Sequence, residues 1–469
     1  MKCKRSLLAP VPLLLILSAL SGCGSHHEPL RVSKTNPRYF EDGSGKAVYL
    51  TGSHTWNNLV EMKPAGNPDI FDYPAYLDFL ERYDHNFIRL WAWELVNWDT
   101  RGNVQELPKV LDVNPHPWKR TGPGNALDGK PKFDLTQFDE SYFQRLGHRV
   151  AEARKRDIYV SVMLFEGWGI QFSPGGFRNH PFHPDNNVNR LELDTAAQSK
   201  GLEIHELQNK KVLEVQKAYL KKVIDAVRDL DNVLFEISNE NHSRSTAWQY
   251  EMINVIREYE KQTGTSHPVG MTFQVEGGSN QTLFGSPADW ISPNPEGGYR
   301  DDPPASDGKK VILNDTDHLW GLGGNHKWVW KSFLRGLHPI FMDPYDGKVL
   351  NSGYDTKALE TEIESVRKNM GYTLQFARKM DLIHMEPSNA LSSSGYCLAR
   401  KNAEYLLYLP EGNQLEADLT GASSTFKVEW FDPQTGKEID GGKVEGGKKV
   451  VFKSPFQTNE AVLYLVLSP

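Results

Sequence analysis

Residues 233–242 read Val233-Leu234-Phe235-Glu236-Ile237-Ser238-Asn239-Glu240-Asn241-His242. The apolar run at the start is broken only by Glu236 and delivers Ser238, Asn239 and Glu240 at its end. A short apolar run without strict alternation is the pattern of a parallel strand covered on both faces. In a barrel of parallel strands, chemistry gathers at the C-terminal tips. An Asn-Glu pair at such a tip makes Glu240 the first catalytic candidate.

Seven further runs share this form. They are Val48–Thr51, Phe87–Trp91, Tyr159–Phe165, Val269–Thr272, Trp290–Ser292, Val311–Asn314 and Ile340–Met342. Helical patterns lie between them. Over Asn209–Leu230, Val212, Val215, Tyr219, Val223 and Val227 recur at spacings of three and four, as on a helix packed against a sheet. Thr246–Thr263 and Asp355–Met380 read the same way. The alternation predicts an α/β fold, a (β/α)8 TIM barrel over residues 37–385. Asn97–Asp134 and Gly167–Leu202 are rich in Gly, Pro, Asn and aromatics. As loops after strands 2 and 3, they are expected to build the rim of the site.

The pattern changes near Glu386. Tyr396–Arg400, Glu404–Leu409, Thr425–Phe431, Lys448–Lys453 and Ala461–Leu467 are short alternating segments. Turn signals such as Pro410-Glu411-Gly412-Asn413 separate them. Residues 386–469 therefore read as a small antiparallel β-sandwich.

The other end carries an address. Lys2, Lys4 and Arg5 precede a mostly apolar run, Leu7 to Leu20, too short for a confident membrane span. Leu20-Ser21-Gly22-Cys23 resembles a bacterial lipobox. Residues 1–22 are then a signal peptide, Cys23 the lipidated residue and 23–36 a tether. The expectation is an exported protein at the periplasmic or cell-surface face, touching membrane only through Cys23. Loss of residues 1–22 removes three positive charges and no negative one, moving the net charge from −7 to −10. Such an acidic chain is a poor nucleic-acid binder. Of the 3 cysteines, Cys3 leaves with the signal and Cys397 has no partner. No disulfide framework or cysteine metal site is expected, and no metal or organic cofactor is called for.

Cleaving a glycosidic bond takes two carboxyl groups, one to protonate the leaving oxygen and one to attack or to activate water. Glu240 suits the first role. Val311-Ile312-Leu313-Asn314-Asp315 is another apolar strand ending in an acid, by count strand 7, across the barrel mouth from strand 4. Asp315 is the leading second carboxylate, with Asp317 its rival. Carboxyls about 5–5.5 Å apart mean retention of configuration and about 6.5–9.5 Å inversion.

Other strand ends are unusually polar or aromatic. His54 and Trp56 follow strand 1, and Arg89, Trp91 and Trp93 lie on or after strand 2. Glu166 and Trp168 end strand 3, Asn239 and His242 flank Glu240, and His318 follows Asp317. Asp343, Tyr345 and Asp346 end strand 8. Core packing does not select polar groups at so many buried strand ends, so together they are expected to line a polar, aromatic pocket for carbohydrate. Arg89 is placed low, holding a carboxylate through paired hydrogen bonds. Glu236 reads as the buried partner of a barrel cation. The twelve Trp suit stacking on sugar faces.

Asn239-Glu240 on strand 4, Arg89 on strand 2 and an acid on strand 7 resemble clan A, the large barrel clan of retaining glycoside hydrolases. Two segments narrow this: Asn36-Pro37-Arg38-Tyr39-Phe40 running to Gly52-Ser53-His54-Thr55-Trp56, and Asp315-Thr316-Asp317-His318-Leu319-Trp320-Gly321. Both are similar to bacterial apiosidase-like or "collagenase" barrels. Tyr396-Cys397-Leu398-Ala399 through Trp430-Phe431-Asp432-Pro433-Gln434-Thr435-Gly436 resembles the collagen-binding type of domain that follows such barrels. The resemblance implies an exported glycosidase acting on polysaccharide or its side chains, with Glu240 as acid/base. Clan A enzymes usually carry Glu on strand 7, whereas this chain has Asp315. His205-Glu206 lacks the second His of a zinc peptidase motif. Two other readings are a non-catalytic carbohydrate-binding lipoprotein and a matrix-binding adhesin acting through residues 386–469.

Overall fold

The computed structural model describes residues 28–101, 110–196, 200–345 and 359–468. The signal-like run, Cys23 and Asp346 lie outside the described residues.

Eight parallel strands form the barrel: Gly52–His54, Phe87–Leu90, Tyr159–Glu166, Val233–Asn239, Val269–Thr272, Trp290–Ser292, Val311–Asp315 and His338–Met342. Neighbours in sequence are neighbours in the sheet from strand 2 to strand 8, and strand 8 pairs with strand 1. Strands 1 and 2 meet by packing. A Cβ on Gly52 would lie 2.0 Å from the Phe87 carbonyl oxygen, so only glycine permits this approach. Asn58 stitches the seam, donating to the Arg89 carbonyl at 2.6 Å and accepting from the Trp91 N–H at 2.9 Å.

The first strand differs from the sequence expectation. Ala47–Val48 belongs to a small antiparallel sheet with Arg31–Val32 and Phe40–Glu41, and pairing with strand 8 begins only at Gly52. Apolar residues drew the expectation upstream, while the actual strand is the small and polar Gly52-Ser53-His54. The small sheet closes the barrel floor. Leu30 and Phe40 pack with Leu50, Phe87, Leu234, Trp290 and Val311, at or near the starting ends of strands.

The expected loop 97–134 is also partly strand. Asn97–Asp99 and Val110–Asn114 form a sheet with Glu61–Pro64, and Trp118–Asn125 pairs with Pro131–Phe138 as a hairpin. Gly124 and Gly129, with φ of 80° and 79°, supply left-handed positions at the hairpin's turn. These glycines gave the segment its loop-like composition. Among its described residues, Gly167–Leu202 carries the short helix Trp168–Phe172 and turns of 3-10 helix.

The helices follow from periodicity and caps. Lys210–Val227 starts at Asn209, whose side chain accepts from the Val212 N–H, and it buries Val212, Tyr219, Val223 and Val227. Thr246–Thr263 ends at Gly264 with φ 79°. The last barrel helix is Glu360–Lys379.

Beyond it, six antiparallel strands form one sheet and Gln414–Asp418 with Lys449–Lys453 a second, two-stranded one. The sequence reading passes over Gln414–Asp418, which alternates but has only Leu415 and Ala417 as apolar residues, and Glu438–Glu445, which carries no strong alternation. One face of the larger sheet packs on the barrel: Leu406, Tyr408, Phe431, Val462 and Tyr464 meet Trp330, Phe333, Leu374 and Phe376.

Candidate active site

Arg89 organises the C-terminal mouth. It points from strand 2 into the barrel and is 3% exposed. A guanidinium has five N–H donors, and all are used. Nε donates to Glu236 Oε2 at 2.9 Å, and Nη2 donates to Glu236 Oε1 and to Asn239 Oδ1, both at 2.6 Å. Nη1 donates to Asp315 Oδ2 and to Asp317 Oδ2, both at 3.0 Å. One cation thus faces three carboxylates, and Glu236 is the buried partner that its place on strand 4 suggests. Burial opposes the charge on Arg89, but Glu236 and Asp315 raise its proton affinity well above the usual value.

The two strand 7 acids differ. Asp315 is 1% exposed. His54 Nε2 lies 3.0 and 2.9 Å from its two oxygens, and the Asp317 N–H donates to Oδ1 at 3.0 Å. Trp91 Nε1, a donor only, lies 2.9 Å from His54 Nδ1. Nδ1 therefore accepts, and Nε2 carries the proton given to Asp315. Burial alone would raise the Asp315 pKa, but His54 and Arg89 hold it below the ordinary value. Asp317 has a side chain 10% exposed, and among the described residues Arg89 is its one hydrogen-bonding side chain. Burial lifts its pKa to about 6, with Arg89 opposing and Asp315 adding.

Glu240 follows strand 4 in a left-handed conformation with φ 43°. A non-glycine residue there is strained, and such strain clusters at functional sites. The Glu240 carbonyl accepts from Gln171 Nε2 at 2.9 Å. No hydrogen bond to its carboxyl comes from a described residue. Burial first, then Asp317 and Glu166, push its pKa well above the usual range, against Arg89.

Asn239 Oδ1 also meets His318 Nε2 at 3.2 Å, and Ser292 Oγ lies 2.7 Å from His318 Nδ1. Burial holds His318 down to about 3, so it stays neutral. With Oδ1 occupied twice, the Asn239 amide presents its NH2 on the other side. Glu166 accepts from the Trp168 and Gly169 N–H groups at 2.8 and 2.7 Å, yet burial raises it to about 8. Behind it, Glu94 lies 3.2 Å from His180 Nε2 and 3.3 Å from His205 Nε2. Burial opposes its charge, but His205 and His180 bring Glu94 down to about 2.

The aromatic expectations divide. Trp91 is buried against Met163 and Met342 and positions His54, so its ring is no platform. Trp93 is 4% exposed and packs between Trp98 and Trp168 with its ring tilted to both. Trp56 and Trp168 keep exposed edges and flank Trp98, which lies 6.2 and 6.1 Å from them. Trp98 was missed, although a Trp in a loop after strand 2 was a readable signal. The pairing of Glu94 with His180 and His205 was missed, since nothing local marks that trio.

Two expected pocket residues lie elsewhere. Asp343 gives both oxygens to Arg367 of the last barrel helix and is fully buried. Tyr345 packs on Phe79 and Tyr76 at 5.0 and 5.2 Å. Their sequence position at the tip of strand 8 was right, but the chain has already turned outward there. His242 is near Glu240 yet donates from Nε2 to the Leu202 carbonyl at 3.0 Å, outside the Arg89 cluster.

The chain has the glycosidase-like (β/α)8 barrel fold. A family 5 glycoside hydrolase from Bacteroides vulgatus ATCC 8482 is similar over 94% of this chain and 93% of its own, with TM-score 0.64 and 14% identity. Another solved structure, described as a glycoside hydrolase, has TM-score 0.57 and 13% identity over 94% of this chain and 97% of its own. At these identities the likeness is one of fold. Residues 113–276 match a family model described as a domain of unknown function, DUF6298. Residues 383–467 match the "Putative collagen-binding domain of a collagenase". No curated protein matches the chain.

Proposed function

We propose that the protein is a glycoside hydrolase of O-glycosidic bonds, exported and held to the cell envelope through a lipid on Cys23. The observation that carries the reading is a pair of carboxyls with opposed roles at one mouth: Glu240 holds its proton, while Asp317 ionises near pH 6. Pairs of acids pushed apart in this way are how a site runs acid and base chemistry together. Glu240 gives its proton to the leaving oxygen as the C–O bond breaks. Asp317, ionised at neutral pH, attacks the anomeric carbon or takes a proton from the attacking water.

Asp317 takes this role ahead of Asp315, which the sequence favoured. Asp315 accepts hydrogen bonds from three residues, so both of its oxygens are already engaged. Its work is to fix His54, Arg89 and the backbone of Asp317. Trp56 and Trp168 offer the sugar a stacking surface, and the Asn239 NH2 faces Glu166.

The test is hydrolysis of a panel of plant and bacterial polysaccharides by the chain from residue 24, beside Glu240→Gln and Asp317→Asn. Sugar release by the wild type, lost in both variants, supports the reading. Glycan binding without release by any of the three assigns a sugar-capturing barrel instead.

A further inference from the structure

A cavity opens next to His242, two residues after Glu240. It measures about 530 Å³ and opens between the loops after strands 3, 4 and 5, with Lys200, Glu203, Glu206, His242, Arg244 and Glu276 on its walls. His242 is 3% exposed. Its Nε2–H donates to the Leu202 carbonyl, so Nδ1 is the lone-pair nitrogen. That nitrogen is buried and has no hydrogen-bond partner. A buried acceptor without a donor is costly, about 1–3 kcal/mol, and asks for a ligand that supplies one. Burial, with His205 adding, keeps His242 near 4, so Nδ1 remains an acceptor at neutral pH.

The lining names the chemistry. Two cations and three carboxylates line the cavity, and Arg244 already pairs with Glu206 at 3.2 Å. Glu203 and Glu276 then outnumber Lys200, so an anionic ligand is repelled there. No Trp, Tyr or Phe lines it, so recognition runs through hydrogen bonds rather than stacking. A neutral, polyhydroxylated ligand fits both facts.

Position names the role. His242 follows Glu240 by two residues, so their Cα atoms lie within about 7 Å. Glu240 protonates the leaving oxygen, so the leaving group stands beside the tip of strand 4. The Trp56–Trp98–Trp168 wall belongs to the loops after strands 1 to 3, and Asp317 follows strand 7. We propose that the cavity is the subsite for a neutral sugar residue on the leaving-group side of the cleaved bond, with His242 Nδ1 accepting one of its hydroxyls. This rests on the glycosidase reading and adds to it that the preferred substrate carries a sugar, rather than a small aglycone, beyond the scissile bond.

The test is His242→Gln, whose amide N–H can still reach the Leu202 carbonyl while the Nδ1 acceptor is gone. Variant and wild type are compared on neutral oligosaccharides and on p-nitrophenyl glycosides of the same cleaved sugar. The loss in kcat/KM on the oligosaccharide should exceed the loss on the aryl glycoside by ten-fold or more. Equal losses on both substrates, or none on either, overturn the proposal. Crystals of Glu240→Gln soaked in the oligosaccharide give a readout independent of turnover. A sugar oxygen within hydrogen-bond distance of His242 Nδ1 is expected; sugar bound at Glu240 with this cavity empty rejects the subsite and leaves the glycosidase standing. If the wild type neither cleaves nor binds any glycan, the glycosidase reading falls, and the subsite with it.

Discussion

Replacing Asp317 by Asn should stabilise the protein while abolishing its chemistry. A carboxyl lifted from 3.8 to about 6 is ionised in the fold at a cost of about 3 kcal/mol once pH exceeds 6. The folded state binds this proton more tightly than the unfolded chain does. The penalty is therefore absent below pH 3.8, grows between 3.8 and about 6, and is complete above. Asn carries no charge at any pH, and its Oδ1 can keep the 3.0 Å bond from Arg89. Arg89 still faces Glu236 and Asp315, so it is not left unpaired. In urea at pH 7.5, Asp317→Asn should gain about 1–3 kcal/mol over wild type, and the gain should shrink toward zero at pH 4. Glycan hydrolysis should meanwhile fall by a factor of 100 or more, on the order expected for losing a nucleophile or base. Asp315→Asn should do the reverse at pH 7.5, losing about 3 kcal/mol because a buried partner of Arg89 and His54 is gone. Its depressed pKa makes that contribution fully present above pH 3.8. A variant Asp317→Asn that is less stable than wild type at pH 7.5, or whose advantage is the same at pH 4, would refute the account of the charge cluster.

Other outcomes are equally checkable. The pH–rate profile should rise near pH 6 as Asp317 ionises and fall at higher pH as Glu240 loses its proton, both limbs belonging to the coupled pair; Glu240→Gln should cost about 10²–10⁴ in rate and remove the alkaline limb. Arg89→Met should lower stability by about 3–5 kcal/mol by denaturant unfolding, and Arg89→Lys should recover little, since three donors cannot replace five. Gly169→Ala puts a Cβ 2.8 Å from Glu166 Oε2 and 3.1 Å from the Trp93 ring, so it should cost about 1–3 kcal/mol and shift tryptophan emission. Trp330→Ala removes a fully buried ring between barrel and sheet; about 3–5 kcal/mol should be lost, with calorimetry splitting one unfolding transition into two.

Glu240 and Arg89 were legible because buried strands leave few reasons for a polar residue, and each stands out against an apolar run. Glu236 was legible for the same reason, as a charge that must find a countercharge. The difference in surroundings between Asp315 and Asp317 was not, because it is set by His54 and Arg89, 261 and 226 residues away from Asp315. Strand 1 was misplaced because its Gly52 is selected by contact with Phe87, a demand invisible in local propensity. Asp343 looked like Asp315 on paper, an acid after an apolar strand. A single arginine on the following helix, Arg367, decides that it faces outward. The hairpin in the rim was hidden by its own turn glycines.

The small sheet on the barrel floor also fixes a direction. Its first strand, Arg31–Val32, lies at the end of the barrel opposite Glu240 and Asp317. Residue 28, where the described chain begins, therefore stands at the closed end. A lipid on Cys23 would hang the barrel from its floor, with the mouth turned away from the bilayer. In that proposed pose extended glycan would approach the mouth from the side away from the envelope.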